Sequence, residues 1–540
     1  MSTPHIQYLP RIRYWKLALG AFALGLAVAG LIALKTLPGI ARRVVIAELQ
    51  EHFRSTIEIG GIQVHGLFPV RIVANDIVLR YHGRNDVPPL MTIKRLTGSA
   101  DLHGFWNRKW RVNNIRLEGL QIRIPPQASD PQATNTDRPY LVSPSRPKLR
   151  LPPIEFQEIT ADGALLEILP RQTDRKSRSF GIHHLTLRSL KPGEPAQFHA
   201  QLTNEIPVGE IDSEGTFGPW NADQPGLTPV TAKFEFTNAN LGQFRGLSGT
   251  LSSTGQFGGV LDRLDVEGDA LVPNFSLSVS GKPIDLRAHY VAVVDGTNGN
   301  TYLSSIDAHF LRTTLRVSGE VIDRPAPPVR RPERRIIVTV NTDDARAEDL
   351  LTLVTKGNGT PIAGAVKLRA RFQLPSGSGD IVDRLSLNAR FEIVRAVFEK
   401  RAAQRRIDTL SRRGQGEPRN DAIAGVASDI RGDFRVAKAE AYFSRLEFVV
   451  PGASASLNGS YGIKTEEIDL HGKLRLTSKL SQTVTGLKSV WLRVLNPFFR
   501  DGSSGSVLPV KITGPRSNPD FGLELRRHDK PAGTKRMALR

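Results

Sequence analysis

Apolar and polar side chains alternate along most of the chain with a period of two. Val366, Leu368, Ala370, Phe372 and Leu374 interleave with Lys367, Arg369, Arg371 and Gln373, which puts an apolar face and a cationic face on one strand. The same register recurs in Leu264, Val266, Gly268 and Ala270 against Asp265, Glu267 and Asp269. It recurs in Phe275, Leu277 and Val279 against Ser276, Ser278 and Ser280, and in Leu315, Val317, Gly319 and Val321 against Arg316, Ser318 and Glu320. Ile468, Leu470, Leu474 and Leu476 alternate with Asp469, His471, Lys473 and Arg475. These stretches predict half-buried antiparallel strands. GSGD at Gly377 to Asp380 and VPG at Val450 to Gly452 predict hairpin turns between them.

A helical period is rarer. Pro38 to Phe53 reads as a short amphipathic helix, Asp344 to Lys356 as a helix entered from Thr342 or Asp343, and Phe398 to Arg412 as a charged helix ending at Gly414. Leu487, Val490, Trp491, Val494 and Leu495 repeat at helical spacing until Pro497 stops the turn. From Pro125 to Pro153 the composition shifts to Pro, Ser, Asn and Asp, which marks a loop too poor in apolar residues to pack.

One segment departs from all of this. Leu17 to Leu34 is an uncharged apolar run that as a helix reaches about 27 Å, close to the roughly 30 Å thickness of a bilayer's hydrocarbon core. It reads as an uncleaved anchor; the competing reading is a signal peptide with a basic start at Arg11, Arg13 and Lys16 and small residues at Ala27, Val28 and Ala29. Lys35, Arg42 and Arg43 on the far flank balance the first basic cluster, so flanking charge does not fix the orientation. A short basic tail retained in the cytoplasm, with the long remainder exported, fits best.

Composition narrows the chemistry. The chain has no cysteine, which excludes disulfides, thiolate catalysis and cysteine-containing metal sites. The formal charge of +20 invites a nucleic-acid reading. The Arg and Lys residues are spread singly along the strands, with no DNA- or RNA-binding motif beside them, so no nucleic-acid partner is expected. A basic surface near anionic lipid headgroups fits better. G-x-S-x-G, H-E-x-x-H and G-x-x-x-x-G-K-[ST] are all missing from the sequence, so the chain does not read as an enzyme and no cofactor or metal is called for. His183 and His184 are adjacent and on a regular strand point to opposite faces. Asp265, Glu267 and Asp269 share a face, where a solvated acidic strand competes with a calcium site.

A one-sided sheet of this length poses a physical problem. About twenty-five strands at about 4.8 Å spacing reach about 120 Å, so the ribbon must twist and fold lengthwise. Its apolar faces then either press together as a dry sandwich or stand apart as a hydrophobic trough, and the alternation alone does not separate the two.

Several segments, taken in order, resemble the AsmA family, relatives of TamB and of repeating β-groove lipid-transfer proteins. They are Ile57 to Tyr81 (IEIGGIQVHGLFPVRIVANDIVLRY), DGALLEILP and FGIHHLTLRSL within Asp162 to Leu190, and GEIDSEGTFGPW at Gly209 to Trp220. FVVPGASASLNGSYGI at Phe448 to Ile463 and LPVKITGPRSNPDFGLEL at Leu508 to Leu525 complete the set. The resemblance implies a mainly β fold: an elongated, twisted antiparallel sheet folded lengthwise into a hydrophobic groove, with an N-terminal transmembrane helix and a few short helices. It implies a cytoplasmic tail at 1–16, an anchor at 17–37, a helix and β entry at 38–124, the Pro-rich loop at 125–153, the groove region at 154–526 and a basic tail at 527–540.

The implied protein is single-pass in the inner membrane with its bulk in the periplasm. It binds or conducts phospholipid acyl chains and supports outer-membrane lipid homeostasis; the alternative role is a scaffold or chaperone for outer-membrane protein assembly with an outer-membrane partner, and a periplasmic hydrolase is the least favoured reading. Acyl chains would lie on Phe275, Leu277, Leu368, Phe372, Leu387 and Phe391, with Arg369, Arg371 and Arg390 facing solvent. The helix around Trp491 and Val494, followed by Phe498 and Phe499, would plug the trough or touch a membrane, against the plainer reading of a helix that caps the last strands.

Overall fold

The computed structural model describes residues 55–65, 70–81, 88–89, 91–101, 110–124, 154–168, 178–191, 194–219, 227–295, 299–324, 333–357, 359–478, 500–501 and 505–524. The apolar run at Leu17 to Leu34, the Pro38 to Phe53 segment, the loop at 125–153 and the Leu487 to Phe499 region lie outside these residues. The protein is mainly β, and its strands belong to a mixed, twisted 26-stranded sheet. The chain divides into two compact units: 1–243 with 249–273 and 287–305, and 244–248 with 274–286 and 306–540.

In the first unit, β1 (Ser55–His65), β2 (Val70–Tyr81), β3 (Met91–Asp101) and β4 (Trp110–Glu118) pair antiparallel in chain order. The short β5 (Gln121–Ile124) continues along β3 where β4 leaves it. β6 (Ile154–Ile168) then pairs parallel to both β4 and β5. This corrects the expectation of a purely antiparallel sheet. Parallel neighbours need a long crossover between them, and the Pro-rich stretch 125–153 supplies that length between β5 and β6. β7 (Arg178–Leu190), β8 (Ala196–Glu205), β9 (Val208–Phe217) and β10 (Pro229–Asn240) follow as an antiparallel meander. Past the two-residue β11 (Leu247–Ser248), β12 (Thr250–Val260) and β13 (Arg263–Leu277) extend it.

Where β3, β4 and β6 meet, the core of this unit is closed. Ile93, Leu96, Ile115, Leu117 and Ile159 are all 2% exposed or less, because Leu96 stands opposite Leu117 and Ile115 opposite Ile159 on one face. The other face carries cross-strand pairs such as Arg188 with Glu158 (3.1 Å) and Arg116 with Asp162 (2.9 Å).

β14 (Ile284–Val294), β15 (Thr301–Phe310) and β16 (Thr313–Arg324) come next along the chain. In the second unit β16, β17 (Glu333–Arg346), β18 (Ile362–Pro375) and β19 (Ser386–Phe398) each pair antiparallel with the next. β20 (Ser428–Ala437), β21 (Glu440–Val450), β22 (Ala453–Gly462) and β23 (Glu467–Leu476) continue the series. β25 (Gly505–Pro515) pairs with β23, with β24 (Arg500–Asp501) on its first residues and β26 (Asp520–Leu523) on its last half.

The alternation holds where it was clearest: Lys367, Arg369, Arg371 and Gln373 are exposed, and Val366 and Ala370 are buried. Among the described residues three α-helices interrupt the strands: α1 (Ala347–Val354), α2 (Ile381–Arg384) and α3 (Arg401–Gln415). α1 starts later than expected, because β17 runs on to Arg346 through a bulge between Thr342 and Ala345. Neither Thr342 nor Asp343 caps it. α3 also shifts toward the C-terminus and ends at Gly416, whose φ of +83° closes the helix, instead of at Gly414. The GSGD stretch is not a tight turn: Asp380 caps α2, accepting from the Val382 amide at 2.8 Å. β13 passes through Phe275 to Leu277, and Val279 lies in the following turn instead of a strand of its own.

α1 is held by a buried carboxylate. Asp349, 3% exposed, accepts from the Arg312 amide (2.9 Å) and the Thr313 hydroxyl (3.0 Å), which fixes the β15–β16 turn to the helix. Asp349→Ala leaves both donors unpaired in the interior and is expected to cost about 2–4 kcal/mol, read as a lower urea midpoint for the second unit. Gly472 on β23 tests close strand approach. A Cβ there would lie 2.0 Å from the Ser456 carbonyl oxygen, so Gly472→Ala is expected to destabilise by about 1–3 kcal/mol in the same measurement.

Candidate functional site

Strand pairing in the second unit aligns apolar residues into ladders that run across the sheet. One rung runs Val317, Val340, Ala370, Ala389, Phe434, Phe443, Gly459, Leu470, Ile512 and Phe521, each opposite the next. The neighbouring rung runs Thr342, Leu368, Phe391, Gly432, Leu446, Leu457, Gly472, Val510 and Leu523. A third places Phe372 opposite Leu387 and Leu387 opposite Val436. These alignments survive because a bulge at Ser444 and Arg445 resets the parity of β21, so that Phe443 and Leu446 share a face.

The structure therefore brings four of the expected residues together: Leu368, Phe372, Leu387 and Phe391 form one patch. Leu277 belongs elsewhere, in a small cluster with Val279, Val382, Ala439 and Ile463. Phe275 sits half-buried beside Asn274, whose φ of +53° breaks the strand's regularity. Trp491, Val494, Phe498 and Phe499 lie outside the described residues.

Sequence reading missed Phe434 and Phe443, which complete the patch. Phe434 contacts Phe391 edge-on (5.8 Å between centroids) and Phe443 at 5.4 Å. The Phe391 ring lies over Gly432, where a Cβ would come within 2.9 Å of it. Ile430, Gly432, Phe434 and Val436 do alternate in the sequence and were findable. Phe443 was not, because the bulge shifts its register.

Burial across this face is uneven. Ala345 and Ala396 are 0% exposed, re-aimed by bulges toward α1, and Val340, Val436 and Leu457 on the rungs are also buried. Leu368, Phe372, Leu387, Phe391, Phe434 and Phe443 stay half-buried. At one end of the face α3 lays Ile407 and Leu410 on Val450, Ala453 and Leu476.

The opposite face is polar. Arg369, Arg371 and Arg390 are exposed there as expected. Arg390 donates to Asp433 at 2.6 Å, and this bond, with the charges of Arg390 and Arg445, holds the Asp433 carboxyl below its ordinary pKa. A concavity of about 750 Å³ opens on this side, lined by Arg369, Arg390, Arg435, Tyr442 and His471 among others. The first unit has a comparable polar-side concavity of about 820 Å³ between β7 and β14. There the adjacent histidines depart from expectation. A bulge between Ile182 and His184 lets both reach polar-face partners, His183 to Thr203 (2.6 Å) and His184 to Asp162 (2.7 Å). Asp269 is paired with His289 at 3.0 Å, and Asp265 lies 3.6 Å from Arg263. The described residues hold no group of three or more His, Cys, Asp or Glu arranged to bind a metal ion. No helix among them is long and apolar enough to cross a membrane.

No family model, curated protein or solved structure matches the chain.

His471 provides a pH test of the last strands. Its ring nitrogens contact Glu524 (3.1 Å) and Asp469 (2.9 Å); partial burial pulls its pKa down, and the two carboxylates outweigh this and raise it. A raised folded-state pKa means that the stabilisation is complete below the unfolded value near 6.5 and is lost as pH rises through the folded value. Hydrogen exchange in β23 to β26, corrected for intrinsic rates, should therefore lose protection above about pH 6.5. Glu524→Gln should flatten that dependence.

Proposed function

We propose that the protein is an inner-membrane-anchored periplasmic carrier whose apolar face in the second unit holds phospholipid acyl chains and supports outer-membrane lipid homeostasis. The observation that carries this reading is the half-burial of Leu368, Phe372, Leu387, Phe391, Phe434 and Phe443 along aligned apolar ladders. A protein core normally closes over such side chains, as the first unit does over Ile93, Leu96 and Ile115.

The energetics favour a hydrocarbon occupant. Each methylene kept from water is worth about 0.8 kcal/mol, so a sixteen-carbon chain crossing water unprotected faces on the order of 12 kcal/mol. A continuous apolar ladder lowers that barrier along its whole length, with no need for an enclosed pocket. Headgroups would remain in water at the open side. The half-buried phenylalanines would gain by the same contact, since each has apolar surface left to cover.

The purified full chain is expected to carry phospholipid, detectable by native mass spectrometry. Leu368→Asp with Phe372→Asp should abolish that loading while circular dichroism stays that of the folded protein. Loading retained in a folded double variant overturns the assignment of this face. A lipid-free wild type that instead captures an outer-membrane barrel protein would replace the carrier role with a scaffold.

A further inference from the structure

The solvent-facing arc of α3 carries Arg401, Arg405, Arg406 and Arg413, interrupted by Ala402 and Thr409. The one acid within the helix, Asp408, is turned inward, accepting from the Val426 amide and the Gln404 side chain at 2.9 Å each. Arg412 pairs with Asp421. Among the described residues, Arg401, Arg405, Arg406 and Arg413 form no ion pair. The N-terminal turn holds Arg401 after Lys400, with no acid, although cations at that end oppose the helix dipole. Helix stability therefore does not account for the charge. The buried side of α3 fixes the arc outward, through Ile407 and Leu410.

This arc adjoins an apolar one. The Arg406 guanidinium stands over the Phe521 ring at 5.4 Å. Phe521 and Leu523 are 56% and 52% exposed on the terminal strand β26, where they end the two long apolar rungs, opposite Ile512 and Val510. The acids flanking them are the exposed Asp520 and Glu524, which contacts His471.

The geometry points to a docking surface for an anionic phospholipid bilayer, with the α3 arginines at the phosphates and Phe521 and Leu523 in the boundary between headgroups and acyl chains. Guanidiniums next to half-exposed apolar anchors match both layers of a bilayer surface. A nucleic acid or an acidic protein would satisfy the charge and leave Phe521 and Leu523 without a matching apolar layer. The surface deepens the acyl-chain reading and rests on it for its purpose: a chain leaving the bilayer here would meet Phe521 and Leu523 first and then the rungs behind them.

The test uses the full chain held in phosphatidylcholine nanodiscs and offered acceptor vesicles of phosphatidylcholine with phosphatidylglycerol. Docking is read by vesicle co-flotation, and contact by the emission of a Phe521→Trp variant with brominated lipid as quencher. The expected results are docking to the phosphatidylglycerol vesicles and not to pure phosphatidylcholine, a blue shift, and quenching.

Arg401→Gln with Arg405→Gln and Arg406→Gln should weaken docking on the order of a hundredfold, and Phe521→Ser with Leu523→Ser at least about tenfold. Both variants should keep their co-purifying lipid. Leu368→Asp with Phe372→Asp should lose lipid and keep docking, so failure of the carrier reading is distinguishable from failure of this one. Docking that is unchanged in the arginine variant, equal on both vesicle types or abolished by competing duplex DNA overturns the proposal. An unshifted, unquenched tryptophan on bound vesicles does so independently of any variant's stability.

Discussion

The second unit depends on one constraint: a two-residue side-chain period kept in phase across every strand from β16 to β26. A slip of one residue at any junction would send the following apolar residues to the polar face. The register does not slip, and where a strand gains a residue the extra is absorbed by a bulge. The bulges at Thr342 to Ala345, Ala363 to Ala365 and Ile393 to Ala396 lie at one end of their strands, where they turn Ala345 and Ala396 into the cluster beneath α1. The bulge at Ser444 and Arg445 keeps Phe443 and Leu446 on one face. Glycines at rung positions, such as Gly432 and Gly472, let rings and neighbouring backbone approach where a side chain would hold them apart.

The same period has different outcomes along the chain. Isoleucine and leucine from β3, β4 and β6 interlock across a parallel junction and shut out water. In the second unit Ala345 and Ala396 are fully buried while Phe372, Phe391, Phe434 and Phe443 keep part of their surface open, as Phe234 and Phe257 do in the first. An exposed apolar row of that length costs stability, and the proposed lipid occupant offsets that cost by covering it. The polar side is neutralised locally by cross-strand pairs such as Arg390 with Asp433, whereas Arg401, Arg405, Arg406 and Arg413 on α3 form no ion pair among the described residues.

The alternation in the sequence was enough to find β16, β18 and β23 of the second unit, to place Leu368, Phe372, Leu387 and Phe391 on the apolar side, and to turn Arg369, Arg371 and Arg390 away from it. This works because side-chain direction on a regular strand is a local property of the backbone. Among the described residues two helices, α1 and α3, lie within a few residues of where they were expected, with α1 starting late because β17 runs on to Arg346. α2 was not foreseen; its turn stands where a hairpin was expected, at Asp380.

What only the tertiary structure decided is everything that depends on which strand lies beside which. The parallel seating of β6 on β4, the inclusion of Phe434 and Phe443, the separation of Leu277 from the main patch and the shared face of His183 and His184 arise from partners distant in sequence or from bulges. A bulge adds one residue and reverses the meaning of every position after it, and no composition or period marks where it falls. The sequence alone determined that the chain would build one-sided strands; the pairing between them determined which apolar side chains meet and which stay open to solvent.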